Sequence, residues 1–120
     1  MASPVLSISE PIDVTIAIST ALSPSVNLMG RIPTAILMPA AWTAAGISFQ
    51  ASPDGTTWYD VHSTTAEITV TAAVDIYIDL DSTVFFGARY LKIRSGTSAT
   101  PVNQAAARTL VLMAGRLDVV

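Results

Sequence analysis

Hydrophobic and polar residues alternate along much of this chain with a period of two. In residues 13–19, Val14, Ile16 and Ile18 fall on one face and the residues between them on the other. Similar alternation recurs in residues 47–52, 74–81 and 90–94. A period of two with many β-branched residues is typical of strands that bury one face, and such strands form antiparallel sheets. The pattern predicts an all-β protein.

Turn-forming residues separate the alternating segments, and clusters of this kind end strands. They are Ser23-Pro24-Ser25, Met38-Pro39, Pro53-Asp54-Gly55, Ser95-Gly96-Thr97 and Thr100-Pro101. Residues 109–113 suit a buried strand, whereas residues 103–108 are left open between helix and loop because their alanines favour helix. We therefore predict an antiparallel β-sandwich of jelly-roll type with little helix.

The length of 120 residues fits one domain. We predict an N-terminal arm over residues 1–12, where Pro4 and Pro11 interrupt the pattern, and a single sandwich domain over residues 13–120. The arm would reach a neighbouring molecule. Because the chain has no cysteine, disulfides and thiolate metal sites are excluded.

The chain is poor in charge, since 51% of its residues are hydrophobic and only 12% are charged. The charged share is about half that of an ordinary soluble domain. We expect other chains to cover part of the surface, as in a homo-oligomer or a large particle. The alternative is a monomer whose short Ala, Ser and Thr side chains raise the mean hydropathy without forming apolar patches.

Charge and hydropathy also bear on partners and location. The net charge of -3 and the dispersed basic residues argue against nucleic acid binding, which needs clustered Lys and Arg. The first residues lack the pattern of a secretory signal. The longest apolar stretch, residues 32–47, contains Pro33 and Pro39 and is too short to span a membrane. We expect neither a nucleic acid nor a membrane as partner.

Two segments resemble discoidin-type, galactose-binding-like jelly rolls. Residues 47–61 run through Ser-Pro-Asp-Gly into a Trp segment, and residues 88–94 open with Ala-Arg-Tyr before the later segment 108–115. Asp-Gly supplies a tight turn, and a Trp brings a large buried anchor. The resemblance implies a sandwich with five fold-defining residues in these segments: Asp54, Gly55, Trp58, Arg89 and Tyr90.

Residues 39–49, the Ser-Pro-Asp-Gly turn and residues 94–108 together resemble small structural proteins of tailed bacteriophages. This resemblance implies a virion component, with capsid decoration or cement as its role. Its partners would be the major capsid protein or another virion protein and further copies of itself. The alternative is a carbohydrate-binding module on a tail or spike that recognises a surface glycan.

Candidate chemistry is sparse. Asp75, Asp79 and Asp81 lie on one face of the predicted strand over about 20 Å, so they point in parallel rather than converging on a cation. We interpret them as a solvated face that Lys92 and Arg94 balance across the sheet. The sequence therefore predicts no metal site and no cofactor.

The single histidine, His62, follows the Trp58 segment, and no Gly-x-Ser-x-Gly nucleophile motif accompanies it. We interpret His62 as a polar residue at a strand end and expect no catalytic residues. A hydrolytic accessory enzyme is the rival hypothesis. We assign Phe85-Phe86 to a short turn that plugs one end of the sandwich.

Aromatic and basic residues supply the candidate binding positions. Trp42, Tyr59 and Tyr77 could form a platform for sugars, although Trp and Tyr are equally common at protein interfaces. Arginines are suited to anchor a neighbouring subunit because a guanidinium can bridge to a carboxylate or a carbonyl group. The predicted interface residues are Arg94, Arg108, Arg116, Trp42 and Tyr77.

Overall fold

A computed structural model describes residues 4–6 and 9–119, and it confirms an all-β sandwich of antiparallel sheets. Within these residues the strands are β1 (Pro4–Leu6), β2 (Glu10–Ile16), β3 (Val26–Asn27), β4 (Ile32–Leu37), β5 (Ile47–Ser52), β6 (Tyr59–Asp60), β7 (Thr69–Val70), β8 (Tyr77–Asp79), β9 (Tyr90–Ser95), β10 (Arg108–Gly115) and β11 (Leu117–Val119). A 3₁₀ helix spans Ser82–Phe85.

Two sheets face each other across the core. The first has the strand order β2-β10-β4-β8, and the second has the order β3-β9-β5-β6, with β7 pairing β5 beside β6. Strands β1 and β11 pair with each other in a separate two-stranded ribbon. The jelly-roll type is not confirmed and stays a prediction.

Alternating residues of the central strands fill the core. Leu110 and Leu112 of β10 are fully buried, as are Phe49 of β5 and Ile93 of β9. Their side chains belong to one hydrophobic cluster between the sheets. The period-two pattern of residues 47–52 and 90–94 therefore predicted β5 and β9 correctly.

The predicted first strand is displaced toward the N-terminus. Ile18 was expected on the core face, but it is 60% exposed. Strand β2 ends at Ile16, and Ser19 adopts a left-handed conformation with φ of 62°, so the chain turns before Ile18 can enter the core. In the predicted arm, Glu10, Pro11 and Ile12 already pair with β10. Whether residues 1–12 reach a neighbouring molecule stays a prediction.

The predicted strand 74–81 is shorter in the structure, where β8 covers only Tyr77–Asp79. Asp75 lies in a turn with φ of 56°, which takes Val74 and Ile76 out of the sheet. Both aliphatic side chains are exposed.

The 3₁₀ helix closes the space between the sheets. Asp81 caps it by accepting a hydrogen bond from the Thr83 amide at 3.2 Å. Phe85 at its end is buried and packs edge-on against Phe49, with ring centroids 5.0 Å apart. Phe85 thus belongs to the core, whereas Phe86 is exposed, and the role of the pair as a plug at one end stays a prediction.

The segment that the sequence left open, residues 103–108, forms a loop and enters β10 at Arg108. Its backbone is held by neighbouring loops, not by helical hydrogen bonds, as the amide of Gln104 donates to Thr20 O at 2.9 Å. Among the described residues, no helix has the length and apolar character needed to cross a bilayer.

Candidate functional site

Gln104 organises one end of the sandwich from a fully buried position. Its side-chain oxygen accepts from the Thr43 amide at 2.8 Å, and its side-chain nitrogen donates to Thr43 O at 3.1 Å. The same nitrogen donates to Ser95 Oγ at 2.6 Å. The Gln104 carbonyl accepts from the Ser19 amide at 2.9 Å. One side chain and its backbone thus fix three separate segments of the chain.

We call this end of the molecule the neutral end, and it consists of residues 17–25, 39–46, 71–76 and 96–107. The Asp75 amide donates to Pro39 O at 3.1 Å, which ties the third segment to the second. Residues of the second, third and fourth segments also line a common shallow depression. In all four segments Asp75 is the single charged residue. About a quarter of the residues in a soluble domain are charged, so the composition here is unusual.

The neutral end exposes aliphatic side chains. Ile18 is 60% exposed, Val74 is 44% exposed and Ile76 is 40% exposed. Between them the segments consist mainly of Ala, Ser, Thr and Gly. Interface cores are depleted in charged residues and more apolar than the remaining surface. The neutral end is therefore the candidate docking surface of this protein.

A buried ion cluster lies on the outer side of the second sheet. The guanidinium of Arg94 donates to Asp60 Oδ1 at 2.8 Å, to Glu67 Oε2 at 2.7 Å and to Ser48 Oγ at 2.9 Å. Arg94 is only 6% exposed. The prediction that it anchors a neighbouring subunit is wrong, because its donors bind groups of the same chain.

The cluster holds the segment between β6 and β7 against the sheet. Burial would raise the pKa of Asp60, but the hydrogen bonds from Arg94 and Gln50 and the positive charge of Arg94 hold it below its usual value. Glu67 also accepts from the Ser98 amide at 3.1 Å. The cluster therefore links this segment to the neutral end.

The Ser-Pro-Asp-Gly segment forms the predicted turn. Asp54 Oδ1 accepts from the amides of Thr56 and Thr57, both at 2.9 Å. These backbone hydrogen bonds, with one from the Ser52 hydroxyl, hold the pKa of Asp54 far below its usual value. Gly55 has φ of 82°, which favours glycine.

The other three predicted fold-defining residues, Tyr90, Arg89 and Trp58, lie in different environments. A Cβ on Gly55 would lie 3.5 Å from the ring of Tyr90, so the turn and the start of β9 pack together. Arg89 is exposed. Trp58 is half-buried outside the core cluster, with Lys92 Nζ 4.3 Å from its ring centroid. The prediction of Trp58 as a core anchor is wrong, because its ring covers the outer side of the sheet.

The structure does not assemble the three predicted platform aromatics. Trp42 is half-buried in the neutral end and donates its indole N–H to Ala45 O at 3.0 Å. Tyr77 is exposed on β8, at the edge of the first sheet. Tyr59 is exposed on β6, which pairs with the far end of β5. Trp42 and Tyr59 thus lie at opposite ends of β5.

The remaining two predicted arginines lie at opposite ends of β10. Arg108 is half-buried, and its Nε donates to Gln104 Oε1 at 3.3 Å. Its Nη2 also donates to Thr43 Oγ1 at 3.4 Å, so its guanidinium places one positive charge against the neutral end. Arg116 is exposed after the end of β10. Interface roles for both stay predictions.

The predicted acidic face is dispersed. Asp79 is on β8, Asp75 is in the preceding turn, and Asp81 caps the 3₁₀ helix. Lys92 and Arg94 lie on β9 in the other sheet, so the predicted balance across one sheet is wrong. Among the described residues, no three His, Asp or Glu side chains are grouped as metal ligands.

An apolar cavity of about 370 Å³ opens at the end of the molecule opposite the neutral end. Tyr59, Val61, Val84, Phe85 and Ala88 contribute to its walls. Ser52, the last residue of β5, also lines the cavity, whereas residues 39–46 of the neutral end directly precede the first residue of β5. The cavity and the neutral end therefore lie at opposite ends of this strand. His62 is exposed and also lines this cavity.

Sequence reasoning missed both Gln104 and the cavity. Gln104 carries no local signal of burial, because its partners Thr43 and Ser19 are remote along the chain. The cavity has no local signal at all, since its walls come from residues 51–62 and 84–88. Only the pairing of distant strands brings these segments together.

No known protein family, curated protein or solved structure matches this chain. The resemblances to discoidin-type domains and to phage structural proteins therefore stay predictions.

Proposed function

We propose that this protein is a non-catalytic assembly module that docks through its neutral end, as a structural component of a phage particle. Capsid decoration, which stabilises a head by protein–protein contacts, is the specific role that we propose. The observation that carries the proposal is the neutral end, where four segments with a single carboxylate meet and the buried Gln104 holds two of them, residues 17–25 and 39–46, to its own.

The composition of the neutral end favours docking because covering a charge is costly unless a partner pairs with it. Here a partner would cover mainly Ala, Ser, Thr and Gly backbone and short side chains. Such residues lose little side-chain entropy on burial. Docking would also remove the exposed apolar surface of Ile18, Val74 and Ile76 from water, which is favourable.

The rigidity of the neutral end also favours docking. The Ser48 hydroxyl donates to Gly96 O at 2.7 Å, and the Gly96 amide donates to Gly46 O at 2.7 Å. Among the described residues, every buried side-chain nitrogen or oxygen has a hydrogen-bond partner. A surface that is already ordered loses less conformational entropy when it binds a partner.

The proposal is tested by placing charge on the neutral end. Ala99→Glu and Ala105→Glu change exposed residues of the docking surface, and Ala66→Glu changes an alanine that is also exposed, in the turn between β6 and β7. We expect each neutral-end variant to associate at least about tenfold more weakly, because an unpaired charge would be covered. We expect Ala66→Glu to behave like the wild type.

The measurements are sedimentation of the purified protein and its binding to particles assembled without it, with urea unfolding as a check of folding. The proposal fails if the wild-type protein stays monomeric and does not bind such particles. It also fails if both neutral-end variants associate as strongly as the wild type.

A further inference from the structure

The chain contains a single Asp-Gly sequence, Asp54-Gly55, and it lies in the turn after β5. Asp-Gly pairs rearrange readily because glycine has no side chain to keep its amide nitrogen away from the preceding carboxyl group. We propose that the hydrogen bonds of the folded turn protect this pair from conversion to isoaspartate. This protection does not depend on the proposed function, because the turn lies at the end of β5 opposite the neutral end.

The reaction joins the side chain of Asp54 to the backbone of Gly55. The Gly55 nitrogen forms a bond to Cγ of Asp54 and loses its proton, and one oxygen of the protonated carboxyl group leaves as water, which gives a cyclic succinimide. Water then opens the ring. Attack at Cγ restores aspartate, whereas attack at the main-chain carbonyl gives isoaspartate. Water is the only co-reactant, so an unprotected pair reacts spontaneously.

Ser52 binds the proton of the attacking nitrogen. This serine ends β5 and is only 2% exposed. Its Oγ accepts from the Gly55 amide at 2.8 Å and from the Asp54 amide at 3.2 Å. A hydrogen-bonded amide gives up its proton to solvent only after local opening of the structure. The Gly55 nitrogen therefore becomes a nucleophile only when the turn opens.

The carboxylate of Asp54 is held in its unreactive form. Its Oδ1 accepts from the amides of Thr56 and Thr57, both at 2.9 Å, and from the Ser52 hydroxyl at 3.0 Å. These bonds hold the pKa of Asp54 far below its usual value. An ionised carboxylate repels the nucleophile and cannot release water. Ring closure would also turn the charged acceptor into a neutral carbonyl, which weakens all three bonds.

Isoaspartate at this position would disturb the contact between two strands. It adds a methylene group to the main chain directly before Gly55, where a Cβ would lie 3.5 Å from the ring of Tyr90. Tyr90 also pairs with Ser52 in the ladder between β5 and β9. The hydrogen bonds of the turn therefore preserve both the chemistry of the chain and the packing at this end of the second sheet.

The amount of isoaspartate at residue 54 measures the protection. The protein is incubated at neutral pH, either native or unfolded in guanidinium chloride, and is then digested. Chromatography separates the isoaspartyl peptide from the aspartyl peptide of equal mass, and fragmentation in the mass spectrometer identifies it. We expect isoaspartate to form at least about tenfold more slowly in the native protein, because the reaction must wait for the turn to open.

Ser52→Ala tests the turn itself, since it removes three of the hydrogen bonds. The matched control is Ser23→Ala, which changes another buried serine whose Oγ accepts from the Ile93 amide at 2.9 Å. We expect native Ser52→Ala to form isoaspartate at least about threefold faster than the wild type, because fewer bonds oppose opening. Native Ser23→Ala should match the wild type.

Asp54→Asn gives a second measurement that does not depend on how well Ser52→Ala folds. Asparagine closes the same ring but releases ammonia, so the reaction is read directly as a change in mass and charge. Its side-chain oxygen can still accept from the amides of Thr56 and Thr57. We expect native Asp54→Asn to deamidate at least about tenfold more slowly than the same chain in guanidinium chloride.

The proposed protection is overturned if the native and unfolded wild-type chains form isoaspartate at equal rates. It is also overturned if Ser52→Ala, shown to be folded, reacts no faster than the wild type. Equal acceleration by Ser23→Ala and Ser52→Ala would assign the effect to global stability and not to the turn. Should Ser52→Ala fail to fold, equal deamidation of native and unfolded Asp54→Asn overturns the protection. These outcomes leave the test of particle binding unaffected.

Discussion

Gln104 pairs with the backbone of Thr43 as a neighbouring strand would, accepting from its amide at 2.8 Å and donating to its carbonyl at 3.1 Å. The pairing joins the loop before β5 to the loop before β10, which are distant in sequence. A side-chain amide can replace a strand in this way because it offers one acceptor and two donors. The shape of the proposed docking surface therefore depends on one side chain.

Replacing Gln104 is expected to destabilise the fold. Gln104→Leu has a similar size but leaves the amide and the carbonyl of Thr43 without their partner. Each buried polar group left unpaired costs about 1–3 kcal/mol, so we expect a loss of about 3 kcal/mol in the free energy of unfolding. Urea unfolding measures it, with the exposed neighbour Asn103→Ala as control. Equal stability of both variants would contradict the organising role of Gln104.

Breaking the ion cluster around Arg94 is expected to lower the free energy of unfolding by about as much as Gln104→Leu does. Arg94→Met leaves Asp60 and Glu67 partly buried without their cation, and such losses are about 3–5 kcal/mol for buried pairs. We expect about 3 kcal/mol because the side chain of Asp60 is 33% exposed. The exposed Arg89→Met should change stability by no more than about 0.5 kcal/mol.

The same cluster provides a test by compensation. Adding Asp60→Asn and Glu67→Gln to Arg94→Met removes the unpaired carboxylates, so the triple variant should unfold at a higher urea concentration than Arg94→Met alone. A triple variant less stable than the single one would show that the ion pairs are not the source of the loss.

Stability is expected to fall in acid. The pKa of Asp60 and that of Asp54 are lowered in the folded state, so each carboxylate stabilises the fold above its unfolded pKa of about 3.9. This contribution is lost as the pH falls through the folded pKa. Asp60→Asn and Asp54→Asn should therefore be less stable than the wild type at neutral pH, and the difference should narrow below about pH 4.

Urea midpoints at neutral pH and at about pH 3 measure this change. Thr64→Ala alters an exposed residue without a carboxylate and serves as control. A difference between the wild type and the amide variants that stays constant with pH would contradict the role of the two carboxylates.

The alternation of hydrophobic and polar residues correctly predicted the strands that bury one face, because in such strands every second side chain packs into the core. Residues 47–52 and 90–94 are strands in the structure. It failed at Ile18 and Val74, where left-handed residues, Ser19 and Asp75, turn the chain. Ser19 is not a residue that favours this conformation, and Asp75 favours it far less than glycine does, so the local signal of both turns is weak.

The candidate sites depend on contacts between distant segments, which a local pattern does not contain. The sequence marked Arg94 as a surface anchor because its partners, Asp60 and Glu67, are remote along the chain. It did indicate an unusual surface through the shortage of charge. It could not show that the uncharged segments meet at one end, because that depends on the order of the strands.

Three glycines provide a graded test of backbone constraint. A Cβ on Gly87 meets nothing within 4 Å at an ordinary φ, so Gly87→Ala should stabilise the fold by about 0.5 kcal/mol by restricting the unfolded chain. Gly30 has equal space but φ of 80°, so Gly30→Ala should cost about 1 kcal/mol. Gly96 combines φ of 88° with a Cβ that would overlap Thr100 O and lie 2.8 Å from Val102 N. Because the backbone must also move there, Gly96→Ala should cost about 3 kcal/mol in urea unfolding, and any other order of the three values would contradict the backbone geometry at these three glycines.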